Sequence, residues 1–266
     1  KIAMTALFVS MIRLLRRWDF QTDDAGDDRK QILIHSWVRN DSLSAEGKFV
    51  DRFFDELPDQ LQKRGYKVQY MVLPPTLISA RRVWIPVLES LRDQGMLLPT
   101  DRYLRTVDLV KALLFPYMIS NVPHGQTWLG RWNISALISE ERWSQICSSR
   151  TSNVFLFYLF ARRLGMKGKS FDRIIHTFEN HNWEKAFCFG IHETGVSQRV
   201  VGFQHTSLLW NYHVYSPGEF ERKSKVLPDV VVANGAFWAD KLMEKDFPQV
   251  VIGGAYRFKH LMNMKK

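Results

Sequence analysis

Cysteine is scarce: the 266-residue chain has two, Cys147 and Cys188, each inside a helix-like pattern and neither in a C-x-x-C pairing. That leaves no disulfide framework and no zinc site built on paired thiolates, and both read as reduced core thiols of a cytosolic protein. Long apolar runs are missing too. Residues 2–12 are mostly apolar before the first arginine, Arg13, and a helix of that length falls far short of a bilayer core of about 30 Å. The basic cluster Arg13, Arg16 and Arg17 follows that run instead of preceding it, the reverse of a signal peptide. An amphipathic helix, buried or interfacial, is the expectation for the opening segment. G-x-G-x-x-G, G-x-x-x-x-G-K-[ST] and G-x-S-x-G are all absent, so no dinucleotide fingerprint, P-loop or nucleophile elbow is legible. The acidic stretch around Asp23, Asp24, Asp27 and Asp28 lacks EF-hand spacing and its closing Glu, and reads as a solvated loop. No internal repeat or low-complexity tract occurs. Negative charge is also in deficit, 27 Asp and Glu against 37 Lys and Arg for a net +10. Such a balance favours an anionic partner: a nucleotide, a nucleic acid, an acidic glycan or a membrane surface. No RNA- or DNA-binding motif accompanies it, so nucleic acid is not expected.

What is present is a globular composition, 45% hydrophobic and 13% aromatic, arranged as alternating strand and helix patterns. Residues 31–37 read as a strand, 49–64 as a helix whose apolar face is Phe49, Val50, Phe53, Phe54, Leu57 and Leu61, and 66–73 as the next strand, ended by Pro74 and Pro75. From about 76 to 168 the periodicity turns helical, with runs at 79–94, 106–119, 134–147 and 154–164. Strand patterns resume at 173–178, 199–203, 228–235 and 249–253, with helices at 183–193 and 236–245 between them. The fold class expected is α/β, a Rossmann-like parallel sheet with a helical insertion at about 76–168. Residues 1–30 form an N-terminal amphipathic helix and linker, 31–258 the sheet domain, and 259–266 the start of a connection. Both ends look cut, since position 1 is not Met and the last strand runs into a connection.

The chemistry gathers in one stretch. The strand at 173–178 stops at Glu179-Asn180-His181-Asn182, and the strand at 199–203 stops at Gln204-His205-Thr206-Ser207. In a parallel sheet both clusters emerge at the carboxyl edge, where such folds bind ligands and helix N-termini face anions. Glu179 is the candidate general base toward a hydroxyl or stabiliser of developing positive charge; its bland alternative is a helix-start brace. His205, beside Gln204 and Thr206, is a candidate base or a binder of phosphate or sugar hydroxyl, against a structural imidazole satisfied by backbone. Trp183, Trp210 and Tyr212 could stack on a sugar ring, with core packing the better reading for Trp183. Asn234 and Gly235 end another strand and would otherwise be a plain turn. His181 and His192 have no third ligand at usable spacing, so no metal site is expected.

Four stretches carry a resemblance: Phe178-Glu-Asn-His-Asn-Trp-Glu-Lys-Ala, Val201-Gly-Phe-Gln-His-Thr-Ser, Pro228-Asp-Val-Val-Val-Ala-Asn-Gly and Val251-Ile-Gly-Gly-Ala-Tyr-Arg-Phe. Together they resemble bacterial surface-carbohydrate biosynthesis proteins similar to GT-B glycosyltransferases, including those that transfer acidic keto-sugars from CMP-activated donors. The resemblance spans 171–258 well, 31–73 loosely and the helical middle hardly at all. It implies the N-terminal, acceptor-side domain of such an enzyme, with Glu179 and His205 catalytic. Asn180, Trp183, Glu184, Gln204, Thr206, Ser207, Asn234 and Gly235 would bind substrate. The implied activity is transfer of a sugar from a nucleotide-activated donor to a growing surface polysaccharide or lipid-linked acceptor. No cofactor is implied beyond the nucleotide sugar itself. The location expected is cytoplasmic or peripheral to the inner membrane, and the positive charge and the Arg13 to Arg17 cluster would suit an anionic leaflet. Two other readings remain open: a non-catalytic glycan- or nucleotide-binding scaffold, and an enzyme like the UDP-sugar 2-epimerases, which share the two-domain architecture.

Overall fold

The computed structural model describes residues 30–73, 81–120, 125–146, 149–207, 213–254 and 256–258. The opening amphipathic segment, the Pro74-Pro75 stop, Cys147, Trp210, Tyr212 and the terminal stretch 259–266 lie outside those residues. In chain order the elements are β1 (Gln31–Trp37), α1 (Leu57–Lys63), β2 (Lys67–Leu73), α2 (Arg81–Asp93), α3 (Thr106–Ser120), β3 (Trp128–Leu129), β4 (Trp132–Asn133) and α4 (Ser135–Ile146). There follow α5 (Ser149–Met166), β5 (Arg173–Phe178), α6 (Asn182–Thr194), β6 (Val200–Gln204), α7 (Glu219–Lys223), β7 (Val230–Ala233), α8 (Ala236–Met243) and β8 (Val250–Ile252).

Six strands form one sheet in the order β2-β1-β5-β6-β7-β8, and every neighbouring pair is parallel. The protein is thus an α/β, Rossmann-like domain. Its central strands are buried on both faces, which is why β1 reads as a near-continuous apolar run with Ile32, Leu33 and Ile34 wholly inaccessible. Alternate side chains part to opposite faces. Leu33, Ile174 and Val200 pack with α5 and α6, contributing Leu159, Leu164, Phe187 and Ile191. Ile32, Ile34, Val68 and Tyr70 pack against Phe53, Phe54 and the α2 residues Trp84, Val87 and Leu91.

One expected helix is much shorter than its apolar periodicity implies. Of residues 49–64 only 57–63 are helical. The backbone makes a single turn from Asp51, whose carboxylate accepts the N–H groups of Phe53 (2.8 Å) and Phe54 (3.1 Å) and the Ser36 hydroxyl (2.9 Å). It then passes through a left-handed Asp55, φ 46°. Pro58 completes the break, because a proline ring offers no N–H to the preceding turn and is tolerated only in the first turn of a new helix. Phe53 and Phe54 are buried all the same, so the apolar positions were read correctly and the helix was not.

Between β2 and β5 the chain runs through α2 to α5 and the short β3–β4 hairpin. The helix pair that carries the sheet's far side, α5 and α6, is joined at Gly190. A Cβ there would stand 2.7 Å from the Tyr158 carbonyl oxygen and 2.8 Å from the Ala161 Cβ. The two helices therefore touch backbone to backbone. Gly190→Ala should cost about 1–3 kcal/mol by overpacking this crossing, read as a lowered urea midpoint with unchanged slope; an unchanged midpoint would mean that the helices are not held this close.

Candidate functional site

The strand order places the site. From β1 the chain moves outward to β2, then returns across the sheet to β5 on the other side of β1. The carboxyl ends of β1 and β5 thus form the topological switch point, where the following loops diverge and leave a crevice. The two strand ends are tied by the Trp37 indole N–H donating to the Thr177 hydroxyl at 3.0 Å.

The loop after β5 owes its shape to Glu184. This residue is 2% exposed, and its carboxylate accepts the backbone N–H of Glu179 (3.0 and 3.1 Å) and of Asn180 (2.7 Å). With His181 as N-cap of α6, Glu184 is the third helical residue, the position from which an acidic side chain reaches back over its own helix start. Burial drives its carboxyl well above the usual range, opposed by those backbone N–H groups. The turn also needs Asn180 in the left-handed region, φ 58°, which Asn tolerates better than most residues. The Asn180 side-chain amide donates to the Val214 carbonyl. Glu184 and Asn180 were expected at the substrate; the structure makes them internal supports of the loop that presents Glu179.

Glu179 is the hub. One carboxylate oxygen lies 2.8 Å from His181 Nε2 and the other 3.5 Å from His205 Nε2. The His181 hydrogen bond holds the Glu179 carboxyl below its ordinary range, the His205 charge and the Thr206 hydroxyl adding to the effect against burial. His205 comes from the end of β6 and is buried under Phe53, edge to face at 5.0 Å. Burial lowers its imidazole to about 4 despite the opposing Glu179 charge. At neutral pH the pair is therefore a carboxylate beside a neutral imidazole. Behind it stands Arg257, whose Nη1 lies 3.3 Å from His205 Nδ1 and 3.4 Å from its carbonyl oxygen, with its guanidinium over the Phe53 ring at 5.4 Å. An arginine donates to Nδ1, so the ring carries its proton on Nε2, toward Glu179. Burial and then the Arg39 charge lower Arg257 from its usual value, against the Glu179 charge, and Arg39 itself pairs with Asp41 at 3.1 Å.

The other expected residues divide. Gln204 is fully buried and its amide is a strap, donating to the Thr206 carbonyl (2.8 Å) and accepting the Asn234 N–H (3.0 Å). It joins the ends of β6 and β7 instead of facing ligand. Thr206 lies within 3.3 Å of the Tyr215 hydroxyl, and Ser207 is exposed beside it. Gly235 has φ 101° and ψ 172°, a conformation open to glycine alone, and caps α8. Trp183 is half-buried among aromatic rings, 4.7 Å from His35, 4.9 Å from Phe157 and 5.5 Å from Trp37, the packing role weighed above. Of the other cluster members, His181 is weighed in the sequence reading only as a metal-ligand candidate, Phe53 only as an apolar helix position and Arg257 only within the fourth resembling stretch, while Arg39 is not singled out. Arg257 lies 52 residues from His205 in the chain. Among the described residues no three His, Cys, Asp or Glu side chains are disposed to hold a metal ion.

A second buried histidine pair lies beneath the edge. His35 and His176 are register partners on β1 and β5, both wholly inaccessible. The His176 Nδ1–H donates to the Thr177 carbonyl (2.8 Å), and the Cys188 thiol faces Nε2 at 3.7 Å. Burial lowers His176 to about 4.

For both His176 and His205 the folded value, about 4, lies below the ordinary 6.5. The unfolded chain therefore binds the extra proton first, and the stability due to each neutral ring is lost as pH falls from 6.5 toward 4. Relative to His176→Gln, the wild type should lose stability over that window with a slope approaching 1.4 kcal/mol per pH unit. Urea titrations at pH 7, 5.5 and 4.5 test it, and parallel curves for the two proteins would refute it. By NMR the His205 ring should stay neutral down to about pH 5, and Glu179→Gln should lower its titration point further, because the carboxylate raises it.

Comparison with protein families, with curated proteins and with solved structures finds no match for this chain in any of the three.

Proposed function

We propose that this domain is the acceptor-side half of a glycosyltransferase of GT-B type, transferring a sugar from a nucleotide-activated donor to a surface glycan or a lipid-linked acceptor. The observation that carries the reading is the Glu179 carboxylate set between two imidazoles at the switch-point edge, with the Arg257 guanidinium behind one of them. The four sequence stretches that resemble such enzymes each include a strand's carboxyl end at this same edge.

The parts suit the chemistry. Sugar transfer develops positive charge at the anomeric carbon and negative charge on the departing phosphate. An ionised carboxylate supported by two imidazoles stabilises the first and can accept the proton of an attacking hydroxyl. The charged form of Arg257, disfavoured by burial and by the Arg39 charge, would be favoured by an anionic group beside it, and a phosphate supplies one. His205, neutral and oriented with Nε2–H toward Glu179, fixes the carboxylate's direction.

The test is nucleotide release from CMP- and UDP-sugars by the protein that carries this chain, with glycan acceptor present and absent. Acceptor-dependent release is expected. Glu179→Gln should lower kcat by about 10²–10⁴-fold, with KM for the donor little changed and the circular dichroism spectrum intact. Wild-type turnover by that variant would remove Glu179 from the chemistry. Release without acceptor would favour an epimerase-like hydrolysis, and glycan binding without turnover would favour a scaffold.

A further inference from the structure

Apolar exposure in this protein is concentrated in one place. Of the eighteen large hydrophobic side chains exposed among the described residues, eleven fall between Val107 and Trp143. On α3 the side facing α5 is apolar, with Ala112 buried and Phe115 stacked on Phe155 at 4.0 Å. The opposite side is apolar as well: Val107, Val110, Leu114 and Tyr117 follow at helical spacing, with Leu113 and Met118 beside them, all exposed. A helix apolar all round normally has both sides covered.

The hairpin repeats the pattern in a form that no internal core can explain. Its strands are two residues long, with Leu129 opposite Trp132 and Trp128 opposite Asn133, too small a unit to bury anything of its own. Trp128, Leu129 and Trp132 are 57%, 67% and 64% exposed. Arg131 sits at the turn with its guanidinium 5.2 Å from the Trp132 ring. The hairpin leads directly into α4, bound to its first turn by the Thr127 N–H to the Ser135 hydroxyl (2.9 Å). Through Arg142, which donates to the Ile119 carbonyl (2.9 Å), α4 is bound to the end of α3. Trp143 on α4 is exposed too.

Within 107–143 the exposed charges Lys111 and Arg131 face Glu140 and Glu141, and the flanking Arg105 and Arg150, also exposed, tip the wider stretch 105–150 to the basic side. Asp108 is buried and spent on a two-pronged pairing with Arg163 (2.8 and 2.9 Å). Tryptophans with flanking arginines on an otherwise apolar face match the chemistry of the lipid headgroup layer, where indoles sit at the boundary and guanidinium groups reach phosphate. Among the described residues no helix is long and apolar enough to cross a membrane, so the contact would be superficial.

We propose that α3, the β3–β4 hairpin and α4 form an interfacial surface that seats this domain on an anionic phospholipid leaflet. The proposal does not depend on the reaction performed at the Glu179 edge, and it assigns lipid contact to residues other than Arg13, Arg16 and Arg17.

Co-sedimentation of the 266-residue chain with phosphatidylcholine vesicles, alone or with about 30% phosphatidylglycerol, tests it. Binding should be about tenfold stronger to the anionic vesicles and should weaken with added salt. W128S/L129S/W132S should lose about tenfold in partitioning while keeping the wild-type circular dichroism spectrum, since its three side chains are exposed. Changing Arg13, Arg16 and Arg17 to Gln should leave most of the binding in place. Tryptophan emission should shift to the blue on vesicle addition and be quenched by brominated lipid, and less so in the hairpin variant, which keeps Trp143 on this surface. The proposal falls if the wild type does not bind, if the hairpin variant binds equally well, or if binding is lost with the N-terminal arginines alone. It also falls if sedimentation velocity shows a wild-type dimer that the hairpin variant abolishes, because the occupant is then a second copy.

Discussion

A parallel sheet imposes one constraint from which most of this architecture follows. Each strand must end on the same edge as its neighbours, and the chain must return over a face before the next begins. Residues distant in sequence therefore meet wherever strands end. Glu179 follows β5, His205 follows β6 and Arg257 follows β8, yet they meet in one cluster of close contacts. The outward step to β2 and the return to β5 open the crevice beside them. Helices on both faces bury the central strands, which are largely apolar with His35 and His176 as exceptions, and the cluster of Glu179 and His205 stands at the carboxyl edge.

Two carboxylates five residues apart are given opposite duties by burial. Glu184 is enclosed, collects the N–H groups of the loop, and is pushed toward its neutral form by the loss of water. Glu179 is partly exposed, faces two imidazoles, and is kept ionised by them. The first shapes the turn and the second presents charge from it. Removing Glu184 would leave the backbone N–H groups of Glu179 and Asn180 without their acceptor, at about 1–3 kcal/mol for each buried donor, and would free the Glu179 side chain from its fixed direction.

Much of the frame could be read from sequence because it depends on short-range periodicity. The run from Arg173 to Phe178, the polar break after it and the amphipathic helix that follows appear in the structure almost residue for residue. Periodicity failed at 49–64 because apolar spacing records which side chains are buried and not which backbone buries them. Pro58 and the side-chain hydrogen bonds of Asp51 decided the backbone there. The strand ends were legible as a place, but the division of labour within them was not. Gln204 and Glu184 look like ligand-facing polar groups in sequence and prove to be a strap and a cap, a difference set by which atoms are within 3 Å. Arg257 and Phe53 join the cluster through contacts across 52 and 152 residues of chain, for which no local pattern exists.

The same edge also shows why a cationic protein can carry a carboxylate at its centre. Glu179 is the acidic member of a group whose other charged or chargeable members are His181, His205, Arg257 and Arg39. His205 is forced neutral by burial, and Arg257 is disfavoured by burial and by Arg39, so the positive charge near Glu179 is real but underused. Under the proposed function, a donor with an anionic phosphate and an electron-poor anomeric carbon would offer the first to Arg257 and the second to Glu179.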